Sequence, residues 1–82
     1  MNKAEERWTN IAAKKLIGRR IVAVEYMTDE EIEEAGWSKK PLCLLLDNNC
    51  WIYPQMDDEG NDGGALYYTG KGMDDSETLP VI

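Results

Sequence analysis

The segment Asp57–Gly64, which we call the acidic-glycine loop, constrains the fold more than any other part of the chain. It contains four acidic residues, three glycines and one asparagine, and it lies between two runs rich in tryptophan and tyrosine. Glycine adopts positive φ easily, and the side chains of Asp and Asn bond nearby backbone amides, so these residues are typical of turns. The segment therefore predicts a wide connection between two short strands.

The chain has 82 residues, of which 43% are hydrophobic, and this predicts a single folded domain over 1–82. The first residues are charged and lack the apolar segment of a signal peptide. The longest apolar run, Leu42–Leu46, is far too short to cross a bilayer. We expect a soluble, cytoplasmic protein that does not bind a membrane.

The charge is strongly negative and unevenly placed. The net charge is −7, and residues 1–27 hold six basic and three acidic side chains, net +3, whereas residues 28–82 hold three basic and thirteen acidic ones, net −10. Phosphate contacts need Lys and Arg, so nucleic-acid binding is not expected. An acidic surface of this kind is typical of solvation.

The chain contains no histidine, which is the commonest general acid–base group and the commonest zinc ligand. We therefore expect a non-enzymatic protein without a cofactor, and any enzyme would be confined to carboxylate chemistry. Cys43 and Cys50 lie on one short hairpin without facing each other, so we expect two free thiols and a reducing compartment.

The first half of the chain predicts a helix, a strand and a second, short helix. Apolar residues recur at helical spacing over Ala4–Leu16, and alternation over Ile21–Met27 is typical of a strand. Thr28 and Glu31 have the spacing of a capping box, and Gly36 lies where a left-handed C-terminal cap ends a helix.

The second half predicts a hairpin. The strands Leu42–Asp47 and Cys50–Tyr53 flank Asn48-Asn49, and asparagine tolerates the positive φ of a two-residue type I′ turn. This register pairs Leu46 with Trp51 and Leu44 with Tyr53. It predicts one apolar core face, composed of Leu42, Leu44, Leu46, Trp51 and Tyr53.

After the acidic-glycine loop we expect a strand over Ala65–Thr69, a turn at Gly70–Gly72, a polar loop over Met73–Glu77 and an edge strand over Thr78–Ile82. The predicted fold class is α+β: the N-terminal helix packs on a small, curved antiparallel sheet of four or five strands, and a short helix follows the first strand. Short strands and tight turns favour an SH3-like open barrel.

One functional hypothesis for the acidic-glycine loop is a divalent-metal site. Asp57, Glu59 and Asn61 have the alternate spacing of the first ligands of an EF-hand, and Asp62 adds a fourth oxygen side chain. The EF-hand pattern then fails, because the sixth position lacks glycine and the twelfth is Tyr68 rather than glutamate. A metal site of another type remains open.

The leading hypothesis is a protein-binding module that presents the loop to a protein partner. Asp57, Asp58 and Glu59 would contact the partner together with Tyr67, which is opposite in parity to Tyr68 and so is expected to be exposed. The three tryptophans are expected in the core, because the chain has no phenylalanine. The structural alternative is a loop whose acids bond nearby amides or dock onto basic residues of the same chain. The oligomeric state is left open.

Several short motifs lie between Tyr26 and Thr69: Tyr26–Glu31, Gly36–Trp37, Leu46–Asn48, Tyr53–Pro54, Asp57–Asn61 and Gly64–Leu66. Together they resemble a group of small uncharacterised bacterial proteins that share the Asp-Asp-Glu-Gly-Asn loop. The resemblance spans about half of the chain. Asn49 departs from it, since the turn of that group usually reads Asp/Asn-Gly. The resemblance implies a natural bacterial domain, with no activity, ligand or partner assigned.

Overall fold

The computed structural model describes residues 2–70 and 76–82 and has the predicted α+β composition. The predicted turn and polar loop fall largely on residues 71–75, outside the described residues; residues 76 and 77, predicted to be loop, belong to the last strand. The elements are α1 (Lys3–Leu16), β1 (Ile21–Tyr26), α2 (Asp29–Ala35), β2 (Leu42–Leu46), β3 (Trp51–Ile52), β4 (Leu66–Thr69) and β5 (Ser76–Leu79).

Local signals explain where α1 begins and ends, but its apolar face is not buried. The Asn2 side chain accepts a hydrogen bond from the N–H of Glu5 at 2.8 Å, and basic residues occupy the last turn, where they complement the helix dipole. No residue of α1 is buried. A cleft of about 600 Å³ separates Ala12 and Leu16 from Leu46 and Ile52. The close packing of this helix on the sheet that we predicted is therefore not formed.

The caps of α2 agree with the sequence prediction. Thr28 Oγ1 accepts from the N–H of Glu31 at 3.2 Å, and Glu31 Oε1 accepts from the N–H of Thr28 at 2.9 Å, which completes the capping box. Gly36 is left-handed, with φ 75°, and Trp37 donates its N–H to the carbonyl of Ile32 at 2.8 Å. Neither described helix has the length and apolar composition that a membrane-spanning helix needs.

Three strands form an antiparallel sheet in the order β1-β2-β3. Val24 pairs with Leu44 and Tyr26 pairs with Leu42, while a bulge or similar irregularity shifts the register near Ile21. Side chains alternate between the two faces of a sheet. Val24 and Leu44 therefore lie on the same face of the sheet.

The predicted register of the β2–β3 hairpin is wrong by one residue. Leu44 pairs with Ile52, and Leu45 pairs with Trp51, so Trp51 and Tyr53 lie on the face opposite to Leu44. The cause is a three-residue loop in place of a two-residue turn: the N–H of Leu46 donates to the carbonyl of Cys50 at 2.8 Å. Of the three loop residues 47–49, only Asn49 adopts the left-handed conformation, with φ 67°, as in hairpins with a three-residue loop.

The last two strands form a separate antiparallel sheet, in which Tyr67 pairs with Thr78. The strands therefore divide into sheets of three and two, rather than one sheet of four or five, and no closed barrel is formed by the described strands. Leu66 of β4 lines a small cleft together with Leu44 and Ile52 of the larger sheet. Ile82 also exchanges two backbone hydrogen bonds with Lys40, at 2.9 and 3.0 Å.

The described core is small for the length of the chain. Its buried side chains are Met27, Cys43, Leu46 and Pro41. The accessible surface is 6689 Å², whereas a compact monomer of 9.3 kDa has about 5000 Å². The radius of gyration is 14.4 Å, against about 12 Å for a compact domain of this length. Much of the apolar surface therefore remains exposed.

The prediction of two free thiols is confirmed. Cys43 and Cys50 are both unbridged, the first buried and the second exposed. Burial raises the pKa of the Cys43 thiol, and the carboxylates of Glu31 and Glu25 add to the increase. Cys43 is therefore held as an unreactive thiol in the core.

Candidate functional site

The acidic-glycine loop is closed at its base by the backbone. Gln55 and Gly63 form an antiparallel bridge, and the N–H of Met56 donates to the carbonyl of Asp62 at 2.9 Å. Gly64 donates its N–H to the carbonyl of Pro54 at 3.0 Å. A Cβ atom on Gly64 would lie 2.9 Å from the carbonyl oxygen of Gln55, so the two sides of the base approach too closely for a side chain.

The tip of the loop folds around the side chain of Asp57. Its Oδ1 accepts from the N–H groups of Glu59 and Asn61 at 3.0 and 3.2 Å, and its Oδ2 accepts from Nδ2 of Asn61 at 2.7 Å. The Asn61 amide, with smaller contributions from backbone N–H groups, holds the pKa of Asp57 below its usual value. Gly60 completes the turn with φ 70°. Asp57 therefore serves the structure of the loop.

Asp62 anchors the loop to the connection between α2 and β2. Its Oδ1 accepts from the N–H groups of Ser38 at 3.1 Å, Lys39 at 2.9 Å and Gly63 at 2.8 Å, and its Oδ2 accepts from the Ser38 hydroxyl at 2.6 Å. The Ser38 hydroxyl is the main cause that lowers the pKa of Asp62 to about 2, and the three backbone N–H groups add to it. The carboxylate is thus held ionised by donors of its own chain.

Trp37 and Pro41 complete this anchor. The indole Nε1 of Trp37 donates to the carbonyl of Gly60 at 2.7 Å, and its ring meets the ring of Tyr53 edge-on, with centroids 5.9 Å apart. A Cβ atom on Gly63 would lie 2.7 Å from Cδ of Pro41. The loop is therefore packed against the α2–β2 connection as well as hydrogen-bonded to it.

The four predicted metal ligands are divided between these two roles. Asn61 Nδ2 lies 2.7 Å from Asp57 Oδ2 and 3.4 Å from Glu59 Oε2, so three of the four side chains are adjacent at the tip. Asp62 instead accepts its hydrogen bonds at the base. Within residues 2–70 and 76–82, no three carboxylates or thiols are grouped so that they could hold a metal ion.

The loop is held by amide and hydroxyl donors rather than by basic side chains. In the described part of the chain, Arg19 pairs with Asp47 at 3.3 Å, and Lys40 pairs with Asp29. Neither acid belongs to the loop. Of the two structural alternatives, hydrogen bonding to nearby amides is therefore the one that is formed.

A cleft of about 840 Å³ lies between α1 and the loop. It is lined by Trp8, Gln55, Met56, Asp57 and Asp58. The prediction that Trp8 belongs to the core is wrong, because 63% of this residue is exposed, and Met56 is also mainly exposed. The guanidinium of Arg7 lies 5.7 Å from the centre of the Trp8 ring. The cleft thus combines two apolar side chains, Trp8 and Met56, with an amide and two carboxylates.

The other aromatic residues differ in exposure. Tyr67 is 63% exposed on β4, as predicted, but Tyr68, which has the opposite parity, is 51% exposed, so parity does not separate the two. Trp51 is also exposed, against prediction, while Trp37 is half-buried. Sequence reasoning missed Trp8 and Met56 as site residues, because a tryptophan on the apolar stripe of a helix is usually a core residue. The helix itself gave no signal of this exposure, because its apolar stripe also carries Ile11 and Leu16.

Comparison of the chain with protein-family models, with curated proteins and with solved structures finds no match.

Proposed function

We propose that this chain is a small non-enzymatic binding module, and that the cleft between α1 and the acidic-glycine loop takes up a basic, partly apolar segment of a protein partner. The observation that carries the proposal is the joint presence of Trp8, Met56 and Asp58 in one open cleft. Exposed aromatic and Met side chains are favoured in interfaces, and carboxylates beside them select cationic partners. Asp57, Glu59 and Tyr67 extend the proposed contact surface.

The rigidity of the loop supports this role. Asp62 ties the base of the loop to the α2–β2 connection and Trp37 ties its turn at Gly60 to the same connection, so Asp58 keeps its position before a partner arrives. A surface that is already ordered loses little conformational entropy on binding. The acidic net charge of residues 28–82 also attracts a basic partner over a distance of about a Debye length.

Titration with defined peptides tests the proposal. A peptide that alternates Lys or Arg with Leu should bind and change tryptophan fluorescence, whereas a peptide with Glu in place of the cations should not. Trp8→Ala and Asp58→Asn should each weaken binding, by about tenfold for the tryptophan. Glu33→Gln and Glu34→Gln are matched controls, since they remove the same charge from the surface of α2.

If the controls weaken binding as much as Asp58→Asn, the attraction is unspecific and the cleft is not the site. Equal binding of the basic and the acidic peptide would also contradict the proposal. The proposed surface has two parts, the cleft beside Trp8 and Tyr67 on β4, and Tyr67→Ala separates them. Weaker binding would place β4 in the contact, and unchanged binding would restrict the contact to the cleft.

A divalent-metal site at the tip of the loop is the second candidate, and the adjacency of Asp57, Glu59 and Asn61 favours it. Rotation of the Asn61 amide would present its oxygen beside the two carboxylates. Asp62 is less suited to this site, because four donors already occupy its oxygens. Calorimetric titration with Ca²⁺, Mg²⁺ and Mn²⁺ tests it, and absence of binding at millimolar concentration would remove the candidate.

We extend the proposal to the setting of the protein. Two free thiols support a reducing compartment such as the bacterial cytoplasm, and the group that the chain resembles supports a bacterial source. The SH3-like open barrel also remains a proposal. It would require β4 and β5 to join the larger sheet, which strand pairing measured in solution by NMR would test.

A further inference from the structure

β1 is an open edge of the three-stranded sheet. Among the described strands it pairs only with β2. Met27 donates its N–H to the carbonyl of Pro41 at 3.1 Å, and alternate residues of an antiparallel strand direct their backbone groups to opposite edges. The N–H and C=O groups of Val24 and Tyr26 therefore point away from β2. A row of unpaired backbone N–H and C=O groups is a template on which another strand can pair.

The side chains along this edge are apolar and exposed. Val22 and Val24 are 56% and 59% exposed, and Ile21 is exposed to a similar extent. The cleft beside α1 is lined by residues of β2 and β3, with none from β1. Soluble proteins protect open edges with charged residues, proline or bulges. β1 has an irregularity near Ile21 and one charged residue, Glu25, while residues 21–24 carry neither charge nor proline.

The charges on either side of β1 have opposite signs. Arg20 precedes the strand, next to Arg19, which is paired with Asp47 of its own chain. By contrast, Glu25 near the end of the strand is followed by the acidic first turn of α2. In an antiparallel pair of two identical strands, the start of each strand lies beside the end of the other. The basic end of one copy then meets the acidic end of its partner twice, and a parallel pair would bring like charges together.

We infer that β1 pairs antiparallel with β1 of a second copy of this chain, which makes a two-fold symmetric dimer with a continuous six-stranded sheet. A foreign strand could use the same edge, but the edge itself supplies both halves of the charge pattern and is therefore self-complementary. The inference does not use the cleft of Trp8, so it stands apart from the proposed binding function.

The exposed area agrees with a stable dimer. The chain exposes about 1700 Å² more than a compact monomer of its mass. Stable homodimers bury roughly 2000–5000 Å² in total, or about 1000–2500 Å² per chain. The surplus is spread over α1, the acidic-glycine loop and the last sheet as well as β1, so it shows that apolar surface is available for association and does not by itself locate the interface.

Sedimentation equilibrium of the whole chain tests the inference. The expected mass is twice the chain mass of 9.3 kDa at submillimolar concentration. Val24→Lys should give a folded monomer, because the Val24 side chain is exposed and a charged residue on an edge opposes pairing. Tyr67→Lys is the matched control: it places the same side chain at an exposed position of β4 and should leave the dimer intact.

Charge reversal gives a test that a misfolded variant cannot imitate, because the double variant is expected to recover the dimer. Arg20→Glu and Glu25→Arg should each weaken the dimer by about tenfold, and the double variant should recover it because each pair is restored with its signs exchanged. A mass of 9.3 kDa at every concentration would overturn the inference. A dimer that Val24→Lys leaves unchanged, or single reversals without recovery in the double variant, would overturn it equally.

Discussion

Asp58 and Asp62 belong to one loop but serve different purposes. Asp62 accepts four hydrogen bonds from Ser38, Lys39 and Gly63, whereas Asp58 lines the open cleft beside Trp8. The pKa of Asp62 in the folded chain, about 2, lies below its ordinary value of 3.8. Between these two values the unfolded chain binds more protons than the folded chain. The stabilisation by ionised Asp62 is therefore present above pH 3.8 and is lost as the pH falls towards 2.

Replacement of Asp62 by Asn should lower the thermal unfolding midpoint at neutral pH by a few degrees, because backbone amides lose a charged acceptor. The variant should also lose part of the decline in stability that the parent chain shows between about pH 4 and pH 2. Thermal unfolding followed by circular dichroism across this pH range measures both effects.

Asp58→Asn is the control, since it removes the same charge from the same loop. Its midpoint should differ little from that of the parent chain. If the two variants lose stability equally, the anchoring role of Asp62 is contradicted, and the net charge of the loop would explain the loss.

At the scale of the elements, the β2–β3 hairpin depends on one residue in an uncommon conformation. Asn49 has φ 67°, which asparagine tolerates and glycine adopts without steric cost. Asn49→Gly should therefore raise the free energy of unfolding by about 0.5 kcal/mol, and Asn49→Ala should lower it by about 1 kcal/mol. Urea unfolding gives both values.

The order of stability, with Gly above Asn and Asn above Ala, is the result that matters. Alanine at or above asparagine would contradict the left-handed conformation of residue 49. Asn48→Gly is the matched control, because it places glycine at the neighbouring position. It should not stabilise the hairpin, since the Asn48 side chain accepts a hydrogen bond from the N–H of Cys50 at 3.2 Å.

The elements that the sequence predicted well are those with local causes. The capping box of Thr28 and Glu31 and the left-handed Gly36 depend on residues within one short segment, so the limits of α2 could be read directly. The position of the β2–β3 hairpin could be predicted from the sequence, but the register of its two strands could not. Two- and three-residue loops are both compatible with Asn48-Asn49, and a change of one residue moved Trp51 to the other face.

The candidate site was predictable only in part. The acidic-glycine loop was identified from composition. Tyr67 is exposed as predicted, but its parity was not the reason, because Tyr68 is exposed as well. The anchoring of Asp62 by Ser38 and Lys39 joins residues more than twenty positions apart, which no local pattern encodes. The exposure of Trp8 has the same cause, since the surface that a helix covers is decided by tertiary packing rather than by its own periodicity.

At the scale of the whole molecule, the separation of the strands into two sheets and the surplus of exposed surface were not predictable from the sequence. Both depend on how distant segments meet, and the predicted single sheet assumed that every apolar strand face would find a partner within one chain. The accessible surface of 6689 Å² shows that this assumption fails.

The thermal midpoint of the parent chain should rise by several degrees between micromolar and submillimolar concentration, because a dimer that unfolds to separate chains is stabilised by mass action. Differential scanning calorimetry at several concentrations measures the shift. Val24→Lys should have a lower midpoint that does not depend on concentration. A concentration-independent midpoint for the parent chain would show that burial between copies adds nothing to its stability.

The anchoring of the acidic-glycine loop determines which of its side chains can be substituted without loss of the loop structure. Its base is held by Asp62, and its turn by Asp57 and by the indole of Trp37, so the side chain of Asp58 takes no part in maintaining the backbone. Recognition and folding are thereby assigned to different residues of one short segment. Evolution or protein engineering can vary position 58 freely to obtain new partners, while the scaffold that presents it stays the same.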